Sequence, residues 1–488
     1  MTKVLSHLDP VSVWTIFEEL CAIPRPSKHE QKAIDYVKAF GERLGLETIV
    51  DHAGNVVIRK PASKGMENRR GIILQGHLDM VPQKNNDTVH DFQNDPISPV
   101  VDGDWVRAEG TTLGADNGIG VATALAILQD NALKHGPLEC LFTIDEETGM
   151  TGAFELKADL LQGDILINLD SEDEGELYIG CAGGIDTIAT FSFTREAVPG
   201  GMVAYEVAVK GLRGGHSGLD IHLGRGNANK LLNRLLWTAQ GAFGCQLASF
   251  KGGSLRNAIP REATATLALP VSHAQAFEAM ASGLSATISK ELGDADPGFS
   301  MQATKTAMPS TAFSAADSRT LFQAVYGCPN GPMRMVAGMP EVVETSTNLA
   351  IMTATDQGIT LESLQRSASD SAREDLCNMI RSVFELAGAK VVNKGAYPGW
   401  KPNLQSPILT TMKDVYKQKY GKVPAQKVIH AGLECGILGG VYPNLDMISF
   451  GPTIRNPHSP DEKVKIDTVG LFYDFLVETL EHAPEKTA

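Results

Sequence analysis

Five segments of the chain place, at the expected end of a strand or in a loop, a residue that can hold a metal or move a proton. In Ile72-Ile73-Leu74-Gln75-Gly76-His77-Leu78-Asp79-Met80, a histidine and an aspartate stand two positions apart after three aliphatic residues. A β-branched run bounded by Gly71 and Gly76 reads as a central strand of an α/β sheet, and ligands of such sheets gather outside the strands' carboxyl ends. TIDEETG repeats the theme with Asp145, Glu146 and Glu147. LGADNG sets Asp116 before an apolar helix, ILINLDSEDEGE ends a buried run at Asp170, and GPTIRNPHSPDE carries His458 in a proline-rich loop. Taken singly, each has a plain structural use: His77 bonding a loop, Asp79 making a turn, Asp116 capping a helix, the acids as a solvated turn, and His458 as an idle loop residue. Taken together, His77, Asp116, Glu147, Asp170 and His458 all fall where an α/β sheet brings side chains to one edge.

Adjacent carboxylates in a partly buried cleft repel one another and lose solvation, so a bound cation is the simplest compensation. Two imidazoles and three carboxylates without a thiolate suit Zn²⁺, or Mn²⁺ and Co²⁺ as substitutes. Three carboxylates are too many for one zinc that keeps an open position. Two ions fit better, bridged by Asp116, each with one histidine and one terminal carboxylate, and about 3.5 to 4 Å apart around a shared water. Such a pair lowers the pKa of the water, and Glu146 is placed to take its proton. Asp79 then accepts the second N–H of a metal-bound His77.

The elements that must position these groups follow from the periodicity. Asp9-Pro10 ahead of Val13, Trp14, Phe17 and Leu20 predicts an N-capped first helix, and a second is expected over 29–44, stopped by Gly45. Strands are expected at 47–50, 55–59, 138–144 and 165–169 besides the opening run between Gly71 and Gly76, with a helix over 118–129, which implies an α/β domain with a mixed central sheet. From about Ile185 to Gly399 the texture changes to strand, helix, strand, strand, helix (204–209, 227–239, 245–250, 263–269, 274–292). A similar order recurs through 321–325, 349–355, 359–366 and 375–386. The α/β pattern resumes at 427–430 and 447–449 and closes with a helix over 467–482. The expected organisation is a catalytic domain from 1–185 and 400–488, with an inserted α+β domain of two related halves at 186–399.

Composition narrows the function. With 488 residues, 43% of them hydrophobic, the chain can bury a large core, and a net charge of −15 disfavours a nucleic-acid partner. The opening residues lack the pattern of a signal peptide, and no segment approaches the ~20 apolar residues of a membrane span. A soluble cytoplasmic protein without membrane partners is expected. Seven cysteines without C-x-x-C spacing argue against a disulfide framework and a thiolate zinc site.

The segments GHLDMVPQKNNDTVHDF, GTTLGADNGIG, ILINLDSE, GCAGGID, KGLRGGHSG, GNANKLL, LRNAIPREA, KGAYPGW, HAGLECG and GPTIRNPHSPDE span nearly the whole chain. Through them it resembles the aminoacyl-histidine dipeptidases (peptidase D, cytosol non-specific dipeptidase) of the dinuclear zinc clan that includes aminoacylases, carnosinases and glutamate carboxypeptidase. The resemblance implies two Zn²⁺ per chain held by His77, Asp116, Glu147, Asp170 and His458, with Glu146 as general base and Asp79 as orienting acid. It also implies that the inserted domain is a lid, in which His216 stabilises the developing charge on the carbonyl oxygen and Asn257 lies near substrate. Many relatives carry an arginine on the strand after that asparagine, but here the stretch is TATLALP. Arg366 in LQRSASD becomes the carboxylate-binding candidate, which suggests a doubled lid supplying contacts that smaller relatives borrow from a dimer mate. Monomer and homodimer both stay open. Gly432 and Glu434 of HAGLECG are further substrate-binding candidates, through backbone groups and through the substrate's amino terminus respectively. The implied substrates are unblocked small dipeptides, Xaa-His and β-alanyl-histidine among them. An N-acyl amino acid deacylase with the same metals and a non-catalytic metal-binding scaffold are the alternatives.

Overall fold

The computed structural model describes residues 4–356 and 358–486, and the chain divides into two compact units. The first comprises Met1–Gly180, Trp400–Val428 and Leu433–Ala488; the second comprises Cys181–Gly399 and Ile429–Gly432.

The first unit is built on an eight-stranded sheet in the order Glu47–Val50, Val56–Lys60, Leu138–Thr143, Ile72–His77, Ile165–Asn168, Asp446–Ser449, Glu176–Cys181, Ala425–Ile429. The four central strands are mutually parallel, and the pairings of Glu47–Val50 with Val56–Lys60, of Val56–Lys60 with Leu138–Thr143 and of Asp446–Ser449 with Glu176–Cys181 are antiparallel, which makes this a mixed α/β sheet. Ile72–His77, Leu138–Thr143 and Ile165–Asn168 are buried at every position, as their unbroken apolar texture requires of strands covered on both faces. The covering helices include Val11–Cys21, Ala115–Gln129 and Ile466–Glu481. Asp9 does not cap the first helix: Pro10 is itself the N-cap residue, and the Asp9 carbonyl accepts the Trp14 indole N–H at 3.1 Å. Among the described residues no helix is long and apolar enough to cross a membrane. All seven cysteines are buried.

The second unit contains one nine-stranded antiparallel sheet, and its topology contains the same motif twice. Met202–Lys210, helix Ala228–Phe243, Gln246–Gly252, Ala263–Pro270, helix Ala274–Leu292 and Ser300–Thr306 form a βαββαβ motif with sheet order fourth, first, third, second. The second copy is Gly183–Phe191, helix Ala315–Gly327, Met339–Thr355, Gly358–Ser367, helix Asp370–Leu386 and Lys390–Tyr397, with the same order. Its first strand precedes the whole first copy in the chain. Segment 321–325 is therefore part of a helix, and the strand that completes the recurrence lies more than a hundred residues upstream. The copies join through Phe250↔Ala354, Lys251↔Thr353 and Gly252↔Met352. Leu232, Leu236, Phe250, Phe277, Phe322, Ile380 and Phe384 are among the residues of the common core beneath the sheet.

Candidate metal centre

His77 is the last residue of the central strand Ile72–His77, and its ring is 1% exposed. Nδ1 lies 3.3 Å from the Asp79 carboxylate, while Nε2 faces Asp116 at 3.1 Å and Asp170 at 3.4 Å. One ring nitrogen is thus engaged by Asp79 and the other points into an acidic cluster. Asp79 does more than the sequence implied: its two oxygens also accept the backbone N–H groups of Glu146 at 3.0 Å and Glu147 at 3.2 Å, and the Ser27 hydroxyl at 2.8 Å. Burial works against its charge, but His77 and these donors hold its carboxyl down at about 2.

Strand Leu138–Thr143 turns at Asp145, which adopts φ 53° and accepts hydrogen bonds from the hydroxyls of Thr148 and Thr151. An aspartate tolerates this left-handed backbone, and its side chain stabilises the turn locally. Glu147 then meets His458 Nε2 at 3.0 Å, and His458 Nε2 lies 3.2 Å from Asp116. Asp116 is no helix cap. Its backbone is non-helical (φ −80°, ψ 112°), and its two carboxylate oxygens are divided between His77 and His458.

The result is two triads, His77/Asp116/Asp170 and Asp116/Glu147/His458, with the ligand atoms of each within 4.8 Å of one another and Asp116 common to both. Glu146 joins His77 and Glu147 in a third such group. Burial, reinforced by Asp170, Glu434 and Glu147, pushes the Glu146 carboxyl well above its ordinary value, with His77 opposing. Hydrogen bonds that its ring donates to Asp116 and Glu147 hold His458 up at about 11. Carboxylates that bind imidazolium protons this firmly are equally suited to divalent cations, which displace those protons. Glu147 Oε1 and Asp170 Oδ1 are buried without a hydrogen-bond partner among the described residues, as oxygens reserved for a cation would be.

A polar row lies among the strands that carry these ligands. Glu434 accepts from Gln75 at 2.6 Å and Thr143 at 2.8 Å; Gln75 in turn accepts from Asn168 at 2.5 Å, and Asn168 accepts from Ser449 at 2.5 Å and from the Asp170 N–H at 3.3 Å. Glu434 Oε1 makes no hydrogen bond among the described residues, and burial raises the Glu434 carboxyl to about 7.

In the second unit, His216 and Asn257 come together because Gly215–His216 pairs with Ala258–Ile259 and the Ser217 N–H donates to the Asn257 carbonyl at 2.8 Å. His216 Nδ1 accepts backbone N–H groups from Gly218 at 3.2 Å and Leu219 at 3.1 Å, so its proton lies on Nε2. Burial and Arg366 lower its pKa to about 4, which keeps the ring neutral. That Nε2 lies 3.4 Å from Arg366 Nη2, so two donors face one another without an acceptor between them. Arg366 is 5% exposed; Nη1 donates to the Tyr397 hydroxyl at 3.0 Å, while Nε makes no hydrogen bond among the described residues. Gly432 lies half-buried in the turn after His430.

Sequence reasoning missed Arg25, Glu462 and His430. Arg25 donates to the carbonyls of Leu78, Asp79 and Gly114, and Glu462 accepts the N–H groups of residues 113–116. Both act on backbone atoms, which no side-chain spacing reveals. His430 lay within a quoted motif but had no recognisable partner in sequence.

Two carboxylate–imidazole triads sharing an aspartate on the carboxyl edge of a mixed α/β sheet define a metal-dependent hydrolase. The pattern of peptidase family M20/M25/M40 matches residues 73–482, and the chain belongs to that family. It is a metallopeptidase. The cytosol non-specific dipeptidase of Escherichia coli (strain K12) is 47% identical over 482 residues, covering 99% of each chain. The crystal structure of aminoacylhistidine dipeptidase from Vibrio alginolyticus is 51% identical with a TM-score of 0.96, covering 100% of this chain and 99% of that one. A Staphylococcus aureus tripeptidase shares the fold at 16% identity and a TM-score of 0.56, covering 97% of this chain and 98% of that one.

Proposed function

We propose that this chain hydrolyses unblocked dipeptides, Xaa-His and β-alanyl-histidine among them, using two zinc ions held by His77, Asp116, Asp170, Glu147 and His458, for which Mn²⁺ or Co²⁺ can substitute. Dipeptide hydrolysis is supported by the family and by relatives aligned over 99% of the chain or more. The observation that carries the metal assignment is the pair of triads meeting at Asp116. When bound, the ions supply Lewis acidity and a lowered pKa for water.

The remaining chemistry belongs to the protein. Glu146, whose carboxyl is pushed by burial above its ordinary value, takes a proton from the attacking water and delivers it to the leaving amine. Asp79 fixes His77 through Nδ1 and holds the backbone that carries Glu146, so ligand and base share one anchor. His216 is assigned to the carbonyl oxygen, because its Nε2–H is a neutral donor of fixed tautomer. Arg366, with Nε unsatisfied, is assigned to the substrate's free carboxylate, which selects dipeptides over long chains. Asn257 and the backbone at Gly432 are assigned to further substrate contacts. Glu434, whose Oε1 makes no hydrogen bond among the described residues, is assigned to the amino terminus.

The test is a substrate panel on purified protein, stripped with a chelator and reconstituted with Zn²⁺, Mn²⁺ or Co²⁺. Free dipeptides should be cleaved, with activity saturating at two equivalents of metal. A preference for N-acetyl amino acids would instead make the chain a deacylase, and no metal-restored hydrolysis of either class would remove the catalytic reading.

A further inference from the structure

Glu462 has no role in the hydrolysis described above, yet its carboxylate is 2% exposed and accepts four consecutive backbone N–H groups. Oε2 receives Leu113 at 2.8 Å and Gly114 at 3.0 Å, and Oε1 receives Ala115 at 2.7 Å and Asp116 at 3.2 Å. Successive amides turned to one side form a concave anion site, and those of Gly114, Ala115 and Asp116 are also amides that the start of helix Ala115–Gln129 leaves without intrahelical acceptors. The turn depends on Gly114, at φ 72°. A Cβ there would come within 2.7 Å of Arg25 Nη2 and 2.9 Å of Met80 Sδ, so both backbone angle and space call for glycine.

The opposite side of this turn is held too. Arg25 donates to the Gly114 carbonyl at 2.6 Å and, through Nη1, to the carbonyls of Leu78 and Asp79 at 3.0 Å each. The segment that presents Asp116 is therefore tied by Arg25 to the end of the His77 strand. Glu462 ties it to the loop of His458, four residues earlier, which is itself closed by a hydrogen bond from the Glu462 N–H to the Ser459 carbonyl at 3.0 Å. Two ligands of the triad Asp116/Glu147/His458 are thus connected through one side chain, one by hydrogen bonds and the other along the chain. The His77/Asp116/Asp170 triad has the separate Arg25 tie and the strand hydrogen bonds between Ile72–His77 and Ile165–Asn168.

We infer that Glu462 is a positioning residue of the metal centre: its grip on the amides of 113–116 fixes how Asp116 divides its two oxygens, and it sets the affinity of the Asp116/Glu147/His458 half in particular. The inference rests on the two-ion reading of the site. A simple cap of the helix would lower stability without favouring either half.

The experiment is Co²⁺ titration of the metal-free protein, followed by visible absorption and equilibrium dialysis, on wild type, Glu462→Gln and the exposed neighbour variant Asp461→Asn as control. Wild type and Asp461→Asn should take up two equivalents. Folded Glu462→Gln should keep one equivalent tightly and bind the other roughly 10- to 100-fold more weakly, the usual consequence of losing a group that supports a ligand. Two equivalents bound with wild-type affinity by folded Glu462→Gln would overturn the inference. Failure of wild type itself to take up two would instead overturn the two-ion reading. Should Glu462→Gln not fold, amide hydrogen exchange on metal-free wild type decides. The N–H groups of Leu113, Gly114, Ala115 and Asp116 should be protected before any ion is added, and exchange at the rate of open turns would refute a preformed grip.

Discussion

Around Asp116 in the first unit, carboxylate oxygens outnumber the protons and N–H groups available to them, whereas around Arg366 in the second unit N–H donors outnumber acceptors. Among the described residues Glu147 Oε1 and Asp170 Oδ1 make no hydrogen bond, the latter having only His77 Nε2 at 3.4 Å, and Arg366 Nε makes none either. Both imbalances are buried, where an unpaired polar group costs on the order of 1–3 kcal/mol. A fold that keeps such costs in two places is prepared for two ligands of opposite sign. The acid-rich edge calls for cations, and the His216–Arg366 pair calls for an oxygen anion or a polarised carbonyl.

The comparison breaks first at Glu146. Replacing it with Gln keeps size and hydrogen bonding while removing the base, so kcat should fall by about 10²- to 10⁴-fold. Metal content, measured by elemental analysis of the same preparation, should stay at the wild-type value because the five proposed ligands are untouched. A variant that loses metal along with activity would place Glu146 among the ligands, and full activity would remove it from the mechanism.

Next in size is Arg366→Ala. Loss of a buried charge-assisted contact of about 2 kcal/mol corresponds to roughly a 30-fold rise in KM for dipeptides with a free carboxylate. Amidated dipeptides, which lack the partner anion, should respond little. Equal losses for both substrate types would show that Arg366 supports the unit's structure rather than reading the carboxylate.

The two regions also differ in how much of them can be read from sequence. Of the proposed ligands in the first unit, His77, Glu147 and Asp170 stand at or just after strands whose apolar runs are unmistakable, and the chemistry of paired acids points to a cation. Glu146 and Glu147 could be separated only by role, since geometry alone sends Glu147 to His458. Arg25 and Glu462 left no signal because their partners are peptide groups, which every residue possesses. In the second unit the repeat was partly visible, but its second copy begins with Gly183–Phe191, on the far side of the first copy. Local periodicity cannot report such a circular arrangement. Nor could it report that His216 and Arg366, 150 positions apart, meet.

The smallest expected effect concerns the histidines. Those of the acidic edge are held by carboxylates, whereas His430, 6% exposed in the second unit, is pushed by burial and by Arg366, His216 and His222 down to about 3. Its Nε2 meets the Ser346 hydroxyl at 2.7 Å. An unfolded histidine titrates near 6.5, so between about pH 6.5 and 3 the unfolded chain binds a proton that the native state refuses. Stability from this residue is therefore complete above pH 6.5 and declines as pH falls, by about 2 kcal/mol at pH 5, since each pKa unit is worth ~1.4 kcal/mol. His430→Asn should melt at a lower temperature than wild type at pH 7.5, having lost packing and a hydrogen bond. Its melting temperature should nevertheless fall less between pH 6.5 and 5, so the two curves converge. His216, lowered to about 4, contributes a similar slope to both proteins and cancels in the difference. Parallel curves across that interval would mean that the second unit does not force His430 to stay neutral, and the contrast with the carboxylate-held histidines of the first unit would lose its thermodynamic content.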